Sequence, residues 1–314
     1  MIKRWSISVL IIVTVLSGGC RRTGLQPGEG YVNVQGGRIW YRIVGSGTRT
    51  PLLLLHGGPG APSYYLNPLA ALADERPVIF YDQLGAGRSD KPTDVTLWHV
   101  ERFVQELSEL RRALGLKQVH ILGHSWGTML AVDYMVTKPA GVRSLILASQ
   151  SLSIGRWLKD AETLKRTLPQ SVQDAIARNE AAGSFDSPEY QSAMMEYYKR
   201  YLCRRNPWSD NVNKTLEELG QSVYRTMWGP SEFTATGSLR TYERAEQLRT
   251  LNLPVLFTAG QYDEARPATT EYYRSLVPGA KLRIFENSGH LTMEDEPEAY
   301  VQAVRDFLHE VESR

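Results

Sequence analysis

A chain of 314 residues with 42% hydrophobic and 22% charged side chains is an ordinary globular protein, long enough for one large core or two modest ones, and not a disordered polymer. Its formal charge of +2 offers no concentrated cationic face of the kind a phosphate backbone requires, so no nucleic-acid partner is expected. The densest basic stretch, Lys199-Arg200 with Arg204-Arg205, reads as a solvated helix face.

The first 20 residues read as a targeting segment. Lys3 and Arg4 form a basic start, and Trp5 to Leu16 is apolar apart from Ser6, Ser8 and Thr14. That run is shorter than the roughly 20 apolar residues that span a bilayer. It closes on Leu16-Ser17-Gly18-Gly19-Cys20, which resembles a bacterial lipoprotein signal, with Ser17 where leucine is usual. The resemblance implies that Cys20 is lipidated and holds the exported protein to a membrane of the cell envelope. The alternative is an ordinary secretory signal and a soluble secreted or periplasmic product. Residues 21–29 then read as a flexible tether. A lipidated Cys20 leaves Cys203 without a disulfide partner, as a small packing residue, and the pair has no metal-site spacing.

Tyr31–Val34 and Arg38–Val44 flank Gln35-Gly36-Gly37 and predict a β-hairpin. Leu52–Leu55 and Val78–Tyr81 are continuous apolar runs, as expected of strands buried on both faces. Val100, Phe103, Val104, Leu107, Leu110 and Leu114 recur at helical spacing up to Gly115. Another apolar run, Val119 to Leu122, leads into Gly123-His124-Ser125-Trp126-Gly127, and a helix-forming run from Thr128 leads out. This is the strand–turn–helix setting of a Gly-x-Ser-x-Gly nucleophile elbow. The serine must occupy a strained, very tight turn, and the flanking glycines leave room for it. The turn lifts the Ser125 hydroxyl clear of the sheet and aims a helix N-terminus at the place where negative charge develops.

Ser144–Ala148 reads as the next strand, after which the strand–helix rhythm stops. Residues 151–240 predict several helices, broken at Pro169, Gly183, Pro188, Pro207 and Gly229-Pro230. The rhythm returns with Pro254–Thr258 and Lys281–Phe285, and a last helix opens at Pro297. The expected architecture is an α/β fold: a mostly parallel sheet flanked by helices, formed by residues 30–150 and 241–314, with residues 151–240 inserted as a helical cap.

A serine hydroxyl needs a base, and the base needs a carboxylate to fix its tautomer. On such a fold they follow the serine in the order acid, then histidine. Of six histidines, His56, His99, His120 and His124 precede or adjoin the serine, and His309 lies in the terminal helix as a solvated residue. His290 follows a late strand in a loop at its C-terminal end, where open α/β sheets place their sites. Asp263 follows the preceding strand and is the expected acid. The oxyanion donors are then the N–H groups of Trp126, after the nucleophile, and Gly58, in His56-Gly57-Gly58-Pro59-Gly60, a loop that His56 braces.

Four segments together resemble the proline iminopeptidase (prolyl aminopeptidase) family of α/β-hydrolases. They are the His56–Gly60 loop, Tyr81-Asp82-Gln83-Leu84-Gly85-Ala86-Gly87-Arg88-Ser89, the elbow, and Gly289-His290-Leu291-Thr292-Met293. The resemblance covers roughly residues 30–310. Met227-Trp228-Gly229-Pro230-Ser231-Glu232-Phe233 and Tyr262-Asp263-Glu264 are similar to the segments that supply two glutamates in the family's tricorn-associated branch. It implies that Glu232 and Glu264 hold the substrate's free α-ammonium group. Two carboxylates under a cap would favour a charged terminus and reject a blocked one.

The expected function is therefore a serine aminopeptidase that releases an N-terminal residue, preferably proline, through an acyl-enzyme on Ser125, with no metal and no cofactor. Peptides with a free N-terminus are the expected partners. The rival readings are an esterase or amidase with the same triad acting on neutral acyl substrates, and a non-catalytic binding lipoprotein. An epoxide hydrolase or haloalkane dehalogenase would carry an aspartate where Ser125 stands.

Overall fold

The computed structural model describes residues 25–313. The targeting segment of residues 1–20, Cys20 with it, and residues 21–24 lie outside the described residues. Apolar runs and helix signals alternate along the chain, and the elements follow them. Strands β1 (Gly28–Val34), β2 (Gly37–Val44), β3 (Leu52–Leu55) and β4 (Val78–Tyr81) come first. Helix α1 (Val100–Ala113), β5 (Val119–His124), α2 (Trp126–Val136) and β6 (Val142–Ala148) follow. The inserted helices are α3 (Ile154–Lys165), α4 (Gln170–Ala182), α5 (Pro188–Tyr201), α6 (Asp210–Glu217) and α7 (Gln221–Met227). The chain ends with β7 (Val255–Gly260), α8 (Pro267–Ser275), β8 (Lys281–Phe285), α9 (Thr292–Asp295) and α10 (Pro297–Glu312).

The hairpin starts inside the segment read as tether. Gly28 pairs with Ile43 and Glu29 with Arg42, so the last two tether residues belong to β1. Backbone pairing recruits them, while their exposed positions leave a polar sequence that looks like a linker.

The eight strands lie in the order β1-β2-β4-β3-β5-β6-β7-β8. β2 runs antiparallel to β1 and β4, and every neighbouring pair from β4 to β8 is parallel. The leucines of β3 show why a central strand is apolar throughout. Leu53 and Leu55 face a layer containing Phe103, Leu107, Met129 and Tyr273. Leu52 and Leu54 face the other layer, with Leu66, Leu69, Tyr300 and Phe307. With both faces covered, each of these leucines is fully buried, which is worth about 1.5–3 kcal/mol apiece.

The insertion has its own small core of Leu164, Ile176, Tyr190, Met194, Tyr197 and Tyr201. Ser153, Ser187 and Ser209 cap α3, α5 and α6 by accepting backbone N–H groups at Arg156, Tyr190 and Val212. Its two ends are tied together: Arg244 N–H donates to Leu152 O at 2.8 Å and Ile154 N–H to Tyr242 O at 3.1 Å. His309 is half-exposed on α10, as the solvated reading expects, and its Nε2 also lies 2.6 Å from Glu75 Oε2. Cys203 is buried with its thiol 3.4 Å from Asp295 Oδ1.

Candidate active site

The C-terminal ends of β3, β5, β6, β7 and β8 converge beneath the insertion. The elbow turns sharply between β5 and α2, with Ser125 at φ 53° and ψ −121°. Such a backbone costs about 1–3 kcal/mol unless its surroundings dictate it. They do. The Ser125 N–H donates to Ala148 O, and its carbonyl accepts from the N–H and hydroxyl of Thr128. A Cβ on Gly123 would lie 2.3 Å from Gly127 O, and one on Gly127 2.2 Å from Leu55 O. Glycine at both positions is what lets the turn pack against β3.

His290 stands in the loop after β8. Its Nδ1 lies 2.7 Å from Asp263 Oδ1, so the ring donates there and leaves Nε2 free toward the cavity. The Asp263 carboxylate also accepts the Ser149 hydroxyl at 2.6 Å and the backbone N–H groups of Gly260 and Ala265 at 3.2 and 2.8 Å. Both residues are buried. Ser125 and His290 line one cavity, and among the described residues no hydrogen bond joins the two side chains. Such contacts commonly tighten only around substrate. The insertion reaches the histidine as well, since His290 N–H donates to Tyr201 O at 2.7 Å and Leu291 N–H to Leu202 O at 2.8 Å.

The loop after β3 is clamped from several sides. The peptide that carries the Gly58 N–H has its carbonyl, that of Gly57, held by His56 Nδ1–H at 3.0 Å and by Ala61 N–H at 3.3 Å. In a planar trans peptide that fixes the opposite N–H. Among the described residues no acceptor takes the Gly58 N–H, nor the Trp126 N–H at the start of α2. His56 Nε2 accepts the Gln83 backbone N–H at 2.8 Å, and the Gln83 side chain bridges His56 O and Trp126 Nε1–H. His56 thus braces loop to elbow. Nearby, Asp82 accepts the Arg88 guanidinium, which stacks 3.3 Å over the Trp40 ring.

Glu232 and Glu264 line the same cavity of about 510 Å³ as Ser125 and His290. Glu232 follows α7 in a turn held by Trp228 Nε1–H donating to Ser231 O, and its Oε1 accepts the Tyr224 hydroxyl at 2.8 Å. Glu264 is buried, and its Oε1 has no hydrogen-bond partner among the described residues. Its Oε2 lies 4.0 Å from His290 Nδ1. Burial pushes both carboxyls above the ordinary glutamate range. For Glu264, the charges of Glu232 and Asp263 push further in the same direction. The walls between are aromatic, with Trp157, Tyr190, Tyr198, Tyr224 and Trp228.

Ser125, His290, Gly58, Glu232 and Glu264 line one cavity, with Asp263 behind it on His290 Nδ1 and Trp126 next to Ser125 at the start of α2. Ser149 and Tyr65 are further side chains that hold the site together and carry no sequence signal for it, and Gln83, which lies in one of the four resembling segments, does the same. Ser149 adopts φ 51° one residue beyond β6, a fact only the backbone reveals. Among the described residues no cluster of His, Cys, Asp and Glu is arranged to hold a metal ion.

A family model for the alpha/beta hydrolase fold matches residues 50–297. A proline iminopeptidase of Heyndrickxia coagulans is 45% identical over 287 residues, covering 90% of this chain and 99% of the relative. One from Clostridium botulinum is 36% identical over 286 residues, covering 90% and 98%. Among solved structures, VinJ superposes with a TM-score of 0.88 at 35% identity, covering 91% of this chain and all of VinJ. A proline iminopeptidase of Mycobacterium smegmatis gives 0.84 at 33% identity, covering 90% and 98%.

Proposed function

The chain belongs to the proline iminopeptidase family of α/β-hydrolases and is a serine hydrolase, and from that premise we propose which of its residues release an N-terminal proline. The observation that carries the assignment is Glu264: a buried carboxylate with one oxygen unpartnered, beside a second glutamate, on the wall of the cavity that holds Ser125. Buried charge without a partner is costly, and a cationic ligand is what relieves it. An N-terminal proline is a secondary ammonium with two N–H donors, which two carboxylates satisfy. A blocked N-terminus carries no charge and would leave both carboxyls unpaired.

With the ammonium held at Glu232 and Glu264, the first peptide carbonyl lies against the elbow. Ser125 Oγ attacks its carbon while His290 Nε2 takes the hydroxyl proton, and Asp263 stabilises the imidazolium that forms. The Gly58 and Trp126 N–H groups receive the oxyanion. Collapse of the tetrahedral intermediate breaks the C–N bond, and the imidazolium gives its proton to the departing amine. A water molecule, deprotonated by His290, then attacks the acyl-enzyme, freeing proline and regenerating Ser125. Residues 151–240 act as the cap, closing this cavity and supplying Glu232.

A panel of prolyl and alanyl naphthylamides, each beside its N-acetylated counterpart, tests the reading. The free prolyl compound should be cleaved fastest and the acetylated ones at least about 10²-fold more slowly. Equal turnover of blocked and free compounds would remove the aminopeptidase assignment.

We further propose that Cys20 carries lipid and holds the enzyme to a membrane of the bacterial envelope, a reading that rests on residues 1–20 alone. Radiolabelled palmitate should enter the full-length protein and not its Cys20→Ser variant. Label in neither would leave a cleaved, soluble secretory product. Among the described residues no helix is long and apolar enough to cross a membrane.

A further inference from the structure

A buried line of hydrogen bonds runs from the oxyanion loop through the elbow to the backbone of His290. The Gly57 N–H donates to Tyr65 Oη at 2.7 Å. Tyr65 Oη lies 2.8 Å from His124 Nδ1. At the far side of the same ring, His124 Nε2 lies 2.9 Å from the His290 carbonyl oxygen. All three side chains, Tyr65, His124 and His290, are buried.

The two ends fix every proton between them. A backbone N–H can only donate, so Tyr65 Oη accepts there and keeps its own proton to give. A carbonyl can only accept, so His124 carries its proton on Nε2. Nδ1 of the neutral ring is then a lone pair, and the Tyr65 hydroxyl donates to it. A doubly protonated His124 would face the Tyr65 oxygen with a second N–H and leave the hydroxyl proton unpartnered in the interior. Burial, with His290 next in importance, holds the His124 imidazolium well below the ordinary histidine range. The His124 and His290 ring centroids are 4.7 Å apart, so a neutral His124 also spares His290 a neighbouring cation at the moment it becomes charged.

We propose that Tyr65 and His124 are positioning residues for the hydrolytic step. As one directed chain they set the oxyanion loop and the base in register across the elbow. The inference rests on the reading of Ser125 as nucleophile and His290 as base. Tyr65 and His124 border the same cavity, but their hydrogen bonds run to Gly57 and His290 and not to Glu232 or Glu264, which would receive the ammonium. Breaking it misplaces the Gly57–Gly58 peptide against the His290 loop, and displacements of this kind slow the chemistry while leaving ground-state binding intact. Hydrogen bonds aligned in one direction also polarise each other, so the links should act as a unit.

The test compares Tyr65→Phe, which removes one oxygen, with His124→Asn and with the double variant. Prolyl naphthylamide reports the full reaction and 4-nitrophenyl acetate the acyl transfer alone. Each single variant should lose about 10- to 100-fold in kcat on both substrates, with KM for the naphthylamide changed less than about threefold. The double variant should be no worse than the worse single by more than about threefold, because both break one chain. Either single variant suffices for the kcat–KM split if the other fails to fold by circular dichroism. Folded Tyr65→Phe with kcat within about twofold of the parent on both substrates, or multiplicative losses in the double variant, would overturn the chain. Ser125→Ala run alongside separates the two layers. A dead Ser125→Ala beside a fully active Tyr65→Phe removes the chain alone, whereas a Ser125→Ala that still turns over removes the site reading together with the chain.

Discussion

Asp263 and Glu264 are neighbours in sequence and opposites in environment. Asp263 accepts four hydrogen bonds, from Ser149, Gly260, Ala265 and His290. Glu264 is just as deeply buried and leaves one oxygen with none. The same divide separates the two ends of the cavity. At the proposed reacting end, the loops after β7 and β8 hold Asp263 and His290 in a network that the protein completes by itself, beside Ser125. At the proposed recognising end, Glu232 from the insertion accepts the Tyr224 hydroxyl, and Glu264 from the loop after β7 keeps an oxygen that the substrate's ammonium would complete. A satisfied carboxylate positions; an unsatisfied one binds. Both residues sit in the bend between β7 and α8, where Asp263 folds back onto the N–H groups of Gly260 and Ala265 while Glu264 lines the cavity.

The largest effect that would break this comparison is at the reacting end. Ser125→Ala should lower kcat about 10⁴- to 10⁶-fold with the circular dichroism spectrum unchanged, and residual turnover near the parent's would place the nucleophile elsewhere. Asp263→Asn should cost roughly 10⁴-fold in kcat at nearly constant KM, since the geometry survives while the histidine loses its tautomer.

At the recognising end the loss should depend on substrate. Glu264→Gln should reduce kcat/KM on prolyl naphthylamide by about 10²- to 10³-fold, some 3–4 kcal/mol, and on 4-nitrophenyl acetate by less than about tenfold. Equal losses on the two compounds would erase the distinction between the two ends.

A pH experiment sharpens it further. Folded Glu264 holds its proton more tightly than a glutamate in the unfolded chain, because of burial and then the charges of Glu232 and Asp263. Between the ordinary glutamate pKa and the raised one, the folded state binds more protons, so stability falls as pH rises. Glu264→Gln removes that penalty. It should melt above the parent at about pH 8 and close to it at about pH 5, by about 2–4 °C for each kcal/mol relieved. A Tm difference that shrinks with rising pH would contradict the unpaired-carboxyl picture. The smallest effect lies away from both ends: Ser187→Ala removes the cap of α5 and should cost about 1 kcal/mol in stability with kcat unaltered.

Much of this was legible in the sequence because it is written in local patterns. The runs at Leu52–Leu55 and Val78–Tyr81 match β3 and β4 at both ends, since continuous burial on two faces admits little but aliphatic and aromatic residues, and Lys281–Phe285 matches the edge strand β8, where apolar Leu282 and Ile284 alternate with exposed Lys281 and Arg283. Pro297 opens α10 and Gly115 follows α1 for reasons confined to one helical turn. Less legible were the start of β1, where exposed pairing leaves no apolar imprint, and α8, which the sequence left among the connecting segments.

The sequence by itself determined the order of strands and helices, the strained turn at Ser125, and the order serine, acid, histidine along the chain, because each depends on residues within a few positions of one another. Only the tertiary structure decided that Glu232, from the end of α7, shares a cavity with Glu264 from the far side of the insertion. It also decided that Tyr65 bridges Gly57 to His124, and that Tyr201 holds the backbone of His290. Apart from Gly57 and Tyr65, which are 8 positions apart, these contacts join residues tens of positions apart. Their partners are chosen by how layers pack, and a distant partner leaves no periodicity in the chain to read.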